Sequence, residues 1–305
     1  MKKVSVLAPA TVANMVCGFD ILGFALDEPS DLMTVRIINE KKIEIIHRDD
    51  FNLPTEATKN VAGVALLAML EKIEENIGFE IKITKKIKPG SGIGSSAASA
   101  AGAVVAANHL LNNRFTKPEL IEFAMSGEEL ASGSKHADNV APCVLGGVIL
   151  VRSNEPLDVI KLDFPELFVT IVHPQIEVKT SDAREILKQQ VLLKDAIKQW
   201  GNVAGLVAGL MKKDYELISR SLEDRIIEPT RSILIPKFDR IKTESKRAGA
   251  LGGGISGSGP SIFMLSRSEE IARTVEDVMR QNYQNIELEF NIYVTKINSN
   301  GVSIV

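Results

Sequence analysis

The sequence has little cysteine, little net charge and no long apolar run. Cys17 and Cys143 are the only cysteines among 305 residues and form no C-x-x-C pair, so neither a disulfide framework nor a zinc site is expected. A formal net charge of −3 provides no general attraction to nucleic acid or to an anionic membrane. No run reaches the roughly 18 apolar residues of a membrane-spanning helix. We therefore expect no nucleic-acid partner and no membrane partner.

The N-terminus superficially resembles a secretory signal, because Met-Lys-Lys precedes an apolar stretch. Pro9, Thr11 and Asn14 interrupt that stretch, and no processing-like break follows it. We interpret it as a first strand that leads into a functional loop. The sequence therefore predicts a cytoplasmic protein.

A glycine-rich stretch, residues 89–102, carries the clearest chemical signal. Three glycines occupy alternate positions in it, namely Gly90, Gly92 and Gly94. Glycine adopts positive φ readily and lets the backbone approach a ligand closely. Ser95 and Ser96 open an alanine-rich run, which favours a helix with one of these serines as its N-cap. The alternating segment 79–88 before the loop predicts a strand.

A strand, a glycine loop and a helix in this order can hold phosphate through backbone N–H groups and the positive end of the helix dipole. The loop is not a Walker A loop, because no lysine precedes Ser95 or Ser96. It is not the dinucleotide fingerprint either, because Ser95 stands where the third glycine should be. We therefore expect a phosphate-binding loop of another class.

Polar residues in two further segments are candidates for a substrate site. Residues 8–23 combine small residues with Asn14 and Asp20, a composition that fits a loop lining a cavity, although both residues also suit a simple turn. His136 and Asp138 lie in a second loop, and an ionised aspartate accepts hydrogen bonds only, as an ammonium group requires.

A helix that begins at the capping box Thr116–Glu119 and reaches about Ala131 carries two adjacent acids, Glu128 and Glu129. Adjacent glutamates on a helix often face solvent. They are also hard oxygen ligands of the kind that Mg²⁺ prefers. The residues alone leave both interpretations open.

A second glycine-rich segment, residues 251–260, contains a formal G-x-G-x-x-G at Gly252, Gly254 and Gly257. Asp277 follows at about the distance that the dinucleotide fingerprint requires. However, Pro260 and the strand-like residues 261–265 come next, so the loop opens a strand instead of a helix. This context excludes a dinucleotide site.

Together these segments resemble the motifs of the GHMP kinases, which include galactokinases, homoserine kinases and mevalonate kinases. The segment that ends in Gly92-Ile93-Gly94-Ser95-Ser96-Ala97 resembles the ATP loop P-x-G-x-G-L-G-S-S-A, with Ile93 in place of leucine. Residues 9–23 are similar to the homoserine kinase motif P-A-S-S-A-N-L-G-P-G-F-D-x-x-G and depart from it at 11, 12 and 15–17. Residues 136–142 resemble the homoserine kinase form H-A-D-N-x-A-P, and residues 252–260 resemble the third motif G-A-x-x-S-G-S-G-P.

The resemblance spans essentially the whole chain and implies an α+β GHMP kinase fold. It implies an N-terminal α/β domain like the second domain of ribosomal protein S5, with a left-handed type of crossover. The C-terminal part, with strands on either side of helices, is expected to be ferredoxin-like. The pattern changes at Asn154, which predicts domains 1–153 and 154–305. The resemblance also implies a homodimer.

The resemblance further implies roles for individual residues. The nucleotide would bind at Pro89, Gly90, Ser91, Gly92, Ile93, Gly94, Ser95 and Ser96. The amino-acid substrate would contact Asn14, Asp20, His136, Asp138, Arg184 and Arg231. Gly257, Ser258 and Gly259 would support the nucleotide loop. Ser96 and Glu128 would hold Mg²⁺, with Glu128 favoured over Glu129 because it precedes His136 at the family's spacing.

Two of these assignments have ordinary structural alternatives. Asn60 would reach a purine edge, as in the relatives, or serve only as a polar residue at a helix start. Arg184 and Arg231 would grip a carboxylate bidentately, or form surface ion pairs of small energetic value.

The implied reaction is the ATP- and Mg²⁺-dependent phosphorylation of the side-chain hydroxyl of L-homoserine, a step of threonine biosynthesis. Phosphoryl transfer requires mostly positioning and charge stabilisation, so no residue is assigned as a general base. The alternatives are another GHMP kinase, such as a mevalonate kinase, and a non-catalytic regulator with this fold. The intact Ser96, Glu128 and glycine loop disfavour the regulator.

Periodicity also predicts individual elements. Residues 32–38 and 42–48 alternate like two strands of a hairpin. Helices are predicted at 58–76, 181–199 and 202–213.

Overall fold

The computed structural model describes residues 3–176, 178, 180–188 and 190–305. A larger sheet contains β1 (Lys3–Ala13), β2 (Leu22–Ile38), β3 (Ile43–His47), β4 (Gly78–Thr84), β5 (Val148–Asn154), β6 (Leu157–Leu162) and β11 (Ser303–Ile304). A smaller sheet contains β7 (Phe168–Pro174), β8 (Gly252–Ile255), β9 (Ile262–Ser266) and β10 (Phe290–Lys296). No helix within these ranges is both long enough and apolar enough to cross a membrane.

The first four helices belong to the part of the chain that forms the larger sheet. They are α1 (Val61–Leu70), α2 (Ser95–Leu110), α3 (Lys117–Ser132) and α4 (Val140–Leu145). The others are α5 (Thr180–Glu185), α6 (Leu193–Lys212), α7 (Tyr215–Ser221), α8 (Glu228–Arg231), α9 (Phe238–Arg247) and α10 (Glu269–Gln284). The capping box predicted at Thr116 is present and opens α3.

The larger sheet runs in the order β11-β1-β2-β4-β3, with β5 paired to β2 and β6 paired to β5. The predicted hairpin is wrong, because β3 pairs with β4 in parallel while β2 pairs with the other side of β4. Phe79 of β4 is therefore opposite Ile37 on one side and Ile43 on the other. The alternation identified the strands, but their pairing is decided by the crossover through α1.

The smaller sheet runs in the order β10-β7-β9-β8, and all its neighbours are antiparallel. Numbered within the sheet, the strands follow the order 4-1-3-2, so the ferredoxin-like prediction is confirmed. Helices α9 and α10 contribute Ile241, Met279 and the fully buried Tyr283 to the core of this sheet. The predicted domain boundary after residue 153 stays a prediction. Two strands that follow this residue in the chain, β6 and β11, both extend the larger sheet.

Several of the predicted helix boundaries are wrong. The helix predicted at 58–76 is shorter, because a 3₁₀ turn at Ala57–Lys59 precedes α1 and Asn60 caps it. The predicted break near residue 200 is absent: α6 continues past Gly201, whose neighbourhood is open space. The break occurs earlier instead, between α5 and α6. Buried residues such as Gln199 and Leu206 hold α6 against the protein on both sides of Gly201.

The alanine-rich helix α2 is buried along almost its whole length. At Gly102 a Cβ atom would lie 2.8 Å from both Ala8 Cβ and Met33 Sδ of the larger sheet. Small side chains therefore let α2 pack directly on the sheet. This packing fixes the position of its N-terminus, where the glycine loop enters.

Candidate active site

A cavity of about 460 Å³ lies where the predicted motifs meet. Sixteen of the predicted site residues line it, namely Asn14, Asp20, Pro89, Gly90, Ser91, Gly92, Gly94, Ser95, Ser96, Glu128, His136, Asp138, Arg184, Arg231, Gly257 and Ser258. Ile93, Gly259 and Asn60 do not line it. Segments more than 200 residues apart in the sequence thus share one cavity.

The glycine loop has the backbone that its sequence predicts. Gly90, Gly92 and Gly94 have φ values of 73°, 77° and 70°. The predicted N-cap is wrong: Gly94 caps α2 in the left-handed conformation, and the Ser95 hydroxyl donates to the Ile87 carbonyl at 2.8 Å. Among the described residues, the N–H groups of residues 92–96 donate to no protein acceptor. Free N–H groups at a helix N-terminus are suited to bind phosphate.

The third motif supports this loop from the other side. The Ser256 hydroxyl donates to the Gly92 carbonyl at 2.7 Å, and the Ser261 hydroxyl donates to the Ser91 carbonyl at 2.6 Å. A Cβ atom at Gly92 would lie 2.4 Å from the Gly259 carbonyl oxygen. The third motif therefore supports the loop through Ser256 and Ser261 as well as through its glycines. The sequence pattern did not point to these two serines.

Ser96 and Glu128 form the acidic corner of the cavity. The Ser96 hydroxyl donates to the two carboxylate oxygens of Glu128, at 2.8 and 3.0 Å. Burial raises the pKa of Glu128, and the hydrogen bond from Ser96 opposes this shift. Glu129 is instead exposed and lies 3.8 Å from Lys135. The geometry thus separates two adjacent glutamates that the sequence left as alternatives.

A group of charged residues also lines the cavity and is called its charged end: Asp20, His136, Asp138, Arg184 and Arg231. Asp20 accepts hydrogen bonds from Arg184 at 3.0 and 3.2 Å. His136 Nδ1 lies 3.9 Å from Asp20 Oδ2, and burial lowers the pKa of this histidine. Arg231 is buried, and its guanidinium donates to the Ala183 and Gly257 carbonyls at 2.9 and 3.2 Å. Arg231 is therefore not a surface ion-pair residue, whereas the partly exposed Arg184 forms its ion pair in the wall of the cavity.

Asp138 is a buried carboxylate in the cavity wall, with 5% of the residue exposed. Burial, with smaller contributions from the Asp20 and Glu128 carboxylates, raises the pKa of Asp138 from 3.8 to about 7. A bound cation would compensate for the excess of negative charge here. Asp138 therefore suits an ammonium group better than an anion.

The two candidate asparagines are engaged within the protein. Asn14 donates from Nδ2 to the Gly257 carbonyl at 2.8 Å and accepts at Oδ1 from the Asp20 N–H at 3.1 Å. It therefore connects the first and third motifs, and its contact with substrate stays a prediction. Asn60 accepts from the N–H groups of Ala62 and Gly63 and donates to the Pro54 carbonyl. These bonds favour the helix-start alternative.

Sequence reasoning missed a buried ion pair beneath the glycine loop. Lys85 Nζ lies 2.5 Å from Asp31 Oδ2 and also donates to the Ser99 hydroxyl at 2.8 Å. Asp31 Oδ1 accepts from the N–H groups of Lys86 and Ile87 at 2.7 and 2.9 Å. In the sequence, Lys85 is one of several lysines in the segment 79–88, and no local pattern connects it to a carboxylate 54 positions away.

A second missed contact lies beside the N-terminus of α2. The Thr11 hydroxyl donates to Asn139 Oδ1 at 2.7 Å. A Cβ atom at Gly94 would lie 1.9 Å from the Thr11 hydroxyl oxygen. Glycine at 94 is therefore required both by its φ and by this contact.

Comparisons with known proteins show which family the chain belongs to. The model of the GHMP kinases N terminal domain matches residues 59–147, and the GHMP kinases C terminal model matches residues 206–285. A homoserine kinase of Chloroherpeton thalassium is 47% identical over 319 aligned residues, covering 100% of both chains.

Solved structures give the same result. The crystal structure of homoserine kinase from Cytophaga hutchinsonii superposes with a TM-score of 0.96 at 50% identity, covering 100% of this chain and 98% of that one. Mevalonate kinase of Methanococcus jannaschii gives a TM-score of 0.71 at 16% identity, over 97% of this chain and 98% of that one, which shows a shared fold alone. The glycine loop with its free N–H groups and the charged groups of the same cavity accord with these full-length identities, which establish that the chain belongs to the GHMP kinase family and, within it, to the homoserine kinases.

Proposed function

We propose that this chain transfers the γ-phosphoryl group of ATP to the side-chain hydroxyl of L-homoserine, forming O-phospho-L-homoserine and ADP. The observation that carries the proposal is one cavity lined both by a glycine loop with free N–H groups and by paired acidic and basic groups. A zwitterionic amino acid offers an ammonium group and a carboxylate to those groups. The N–H groups of residues 92–96 would hold the β- and γ-phosphates.

The charged end of the cavity offers a partner for each charged group of the substrate. Asp138 and Asp20 would bind the ammonium group, while Arg184 and Arg231 would bind the carboxylate bidentately. His136 has both ring nitrogens buried without a hydrogen-bond partner among the described residues, so a substrate atom would satisfy one of them. The side-chain hydroxyl of homoserine would then point towards the γ-phosphorus.

In the reaction, the hydroxyl oxygen forms a bond to the γ-phosphorus as the bond from that phosphorus to the bridging oxygen of ADP breaks. The hydroxyl proton passes to solvent, and no side chain is assigned as a general base. Positioning and charge stabilisation suffice for a loose phosphoryl-transfer transition state. The protein contributes mainly by holding two substrates in line.

Mg²⁺ fits the donors at the acidic corner. Glu128 is a half-buried carboxylate that forms no salt bridge among the described residues, and the adjacent Ser96 hydroxyl is a second hard oxygen donor. We propose that these two residues hold the ion. When bound, it would neutralise charge on the β- and γ-phosphates.

A mevalonate kinase activity is not favoured by the charged end of the cavity. Mevalonate has a carboxylate but no ammonium group, so the buried Asp138 would have no cationic partner. A silent regulator would not need the Ser96–Glu128 pair.

We further propose a cytoplasmic enzyme that functions as a homodimer.

The test is an assay of ADP release with ATP, Mg²⁺ and, separately, L-homoserine, mevalonate, L-serine and galactose. Turnover on L-homoserine alone is the expected result. Turnover on mevalonate alone would replace the substrate, and ATP binding without turnover on any compound would favour the silent regulator.

A further inference from the structure

The ring of Phe19 lies next to both arginines of the charged end of the cavity. The guanidinium carbon of Arg184 is 5.5 Å from the ring centroid, and that of Arg231 is 5.0 Å from it. Both distances fall within the roughly 6 Å range of cation–π contacts. A single aromatic ring therefore interacts with two cations that come from different segments of the chain.

The loop that carries Phe19 is anchored on both sides of the ring. The Gly18 N–H donates to the Asn14 carbonyl at 2.7 Å, and the Asp20 N–H donates to Asn14 Oδ1 at 3.1 Å. Gln199 of α6 donates to the Cys17 carbonyl at 2.7 Å. Phe19 is thus presented by a backbone with fixed neighbours, which restricts where its ring can lie.

The positive charges of the two guanidiniums repel each other, and the protein compensates these two charges unequally. Asp20 pairs with Arg184. Arg231 forms no salt bridge among the described residues, and it donates instead to the carbonyls of Ala183 and Gly257. Burial, followed by the charge of Arg184, lowers the pKa of Arg231 to about 10. The negative face of an aromatic ring is a further source of compensation for both cations.

We propose that Phe19 is a positioning residue for the substrate carboxylate: its ring holds the Arg184 and Arg231 guanidiniums at the spacing with which they bind that group. The inference rests on the proposed function and deepens it. Phe19 itself touches no reacting atom in this proposal. Its removal should therefore weaken binding of L-homoserine without slowing phosphoryl transfer in the bound complex.

The test compares Phe19→Leu, which removes the π system, with Phe19→Tyr, which retains it. Phe19→Leu should raise the KM for L-homoserine about tenfold, as expected for losing two contacts of about 0.5–1 kcal/mol each. The kcat and the KM for ATP should stay within about twofold of the parent, because the phosphate end is unchanged. Phe19→Tyr should restore the parent KM, and calorimetric binding of L-homoserine without nucleotide should show the same ratio.

L-homoserinol, in which a hydroxymethyl group replaces the carboxylate, provides the decisive comparison. Its kcat/KM should be the same for the parent and for Phe19→Leu, because the arginines no longer have a carboxylate to grip. Phe168→Leu is the matched control: Lys296 lies 4.5 Å from the Phe168 ring centroid, outside the cavity. This variant should leave the KM for L-homoserine unchanged.

Equal losses with L-homoserine and L-homoserinol, or a Phe19→Tyr variant as weak as Phe19→Leu, would overturn the inference and indicate general damage to the loop. If Phe19→Leu does not fold by circular dichroism, Phe19→Met serves in the same comparison. A parent enzyme that does not phosphorylate L-homoserine would instead refute the proposed function, and the inference with it.

Discussion

The Ser96 hydroxyl donates to both carboxylate oxygens of Glu128. Ser96 lies on the first turn of α2, and Glu128 lies on α3. The bond directs a half-buried carboxylate to the helix N-terminus where phosphate would bind. Neither residue has a basic partner among the described residues. This corner of the cavity is therefore short of positive charge, which is the basis for placing a cation there.

Glu128→Gln should lower kcat/KM by at least about a hundredfold, as expected when a group that holds a catalytic charge is lost. It should also raise the Mg²⁺ concentration required for half-maximal rate. Glu129→Gln is the matched control, because Glu129 is exposed and adjacent in sequence. Kinetic titrations with Mg²⁺ at saturating ATP measure both effects. Equal behaviour of the two variants would argue against a metal at Glu128.

Gly94→Ala and Gly133→Ala separate the cost of positive φ from the cost of a collision. Gly133 has φ +77° and open space around a Cβ atom, so Gly133→Ala should lower the free energy of unfolding by only about 1–2 kcal/mol. At Gly94, the Cβ atom would lie 1.9 Å from the Thr11 hydroxyl oxygen. Displacing Thr11 breaks its bond to Asn139, so a loss of about 3 kcal/mol or more and weaker ATP binding are expected. Urea denaturation and the KM for ATP measure these effects, and equal losses would contradict the collision.

Ser261→Ala tests how much the third motif contributes to the phosphate loop. Its hydroxyl is buried and donates to the Ser91 carbonyl at 2.6 Å, and leaving that acceptor unpaired costs about 1–3 kcal/mol. The KM for ATP should rise with this loss. The control is Ser245→Ala, because the buried Ser245 hydroxyl has no hydrogen-bond partner among the described residues. Denaturation should show the control unchanged or slightly stabilised, and an equal loss in both variants would refute the argument.

Local chemistry made much of the site predictable from sequence. The alternating glycines specify a backbone with positive φ, and their position before an alanine-rich helix predicts an anion site. His136 and Asp138 line the cavity, as their polar and non-periodic segment suggests, and their contact with substrate stays a prediction. These features depend on residues that are close together in the chain.

Features that depend on long-range contacts were not predictable. The pairing of β3 with β4, the Lys85–Asp31 ion pair and the contact of Phe19 with Arg231 each join distant segments. Serine is a better N-cap than glycine in isolation, yet Gly94 takes that position because Ser95 donates to the Ile87 carbonyl. Tertiary contacts overrode local preference in each case.

The raised pKa of Asp138 leads to a prediction about pH. The folded protein holds this proton up to about pH 7, whereas an unfolded chain releases it near the ordinary value of 3.8. The stability that the proton confers is fully present below the unfolded pKa and is lost as the pH rises through about 7. The free energy of unfolding should therefore decrease over this range in the parent and vary less in Asp138→Asn, as measured by denaturation at several pH values.

Activity should depend on pH in the opposite direction. Only the ionised carboxylate of Asp138 binds an ammonium group, so kcat/KM for L-homoserine should rise as the pH passes through about 7. Asp138→Asn should have a high KM and should lack this rise, while its KM for ATP stays near the parent value. Burial lowers the pKa of His136, so that histidine should titrate below the range in question. A rise near pH 7 that persists in Asp138→Asn would assign the titration to another group and remove Asp138 from the ammonium site.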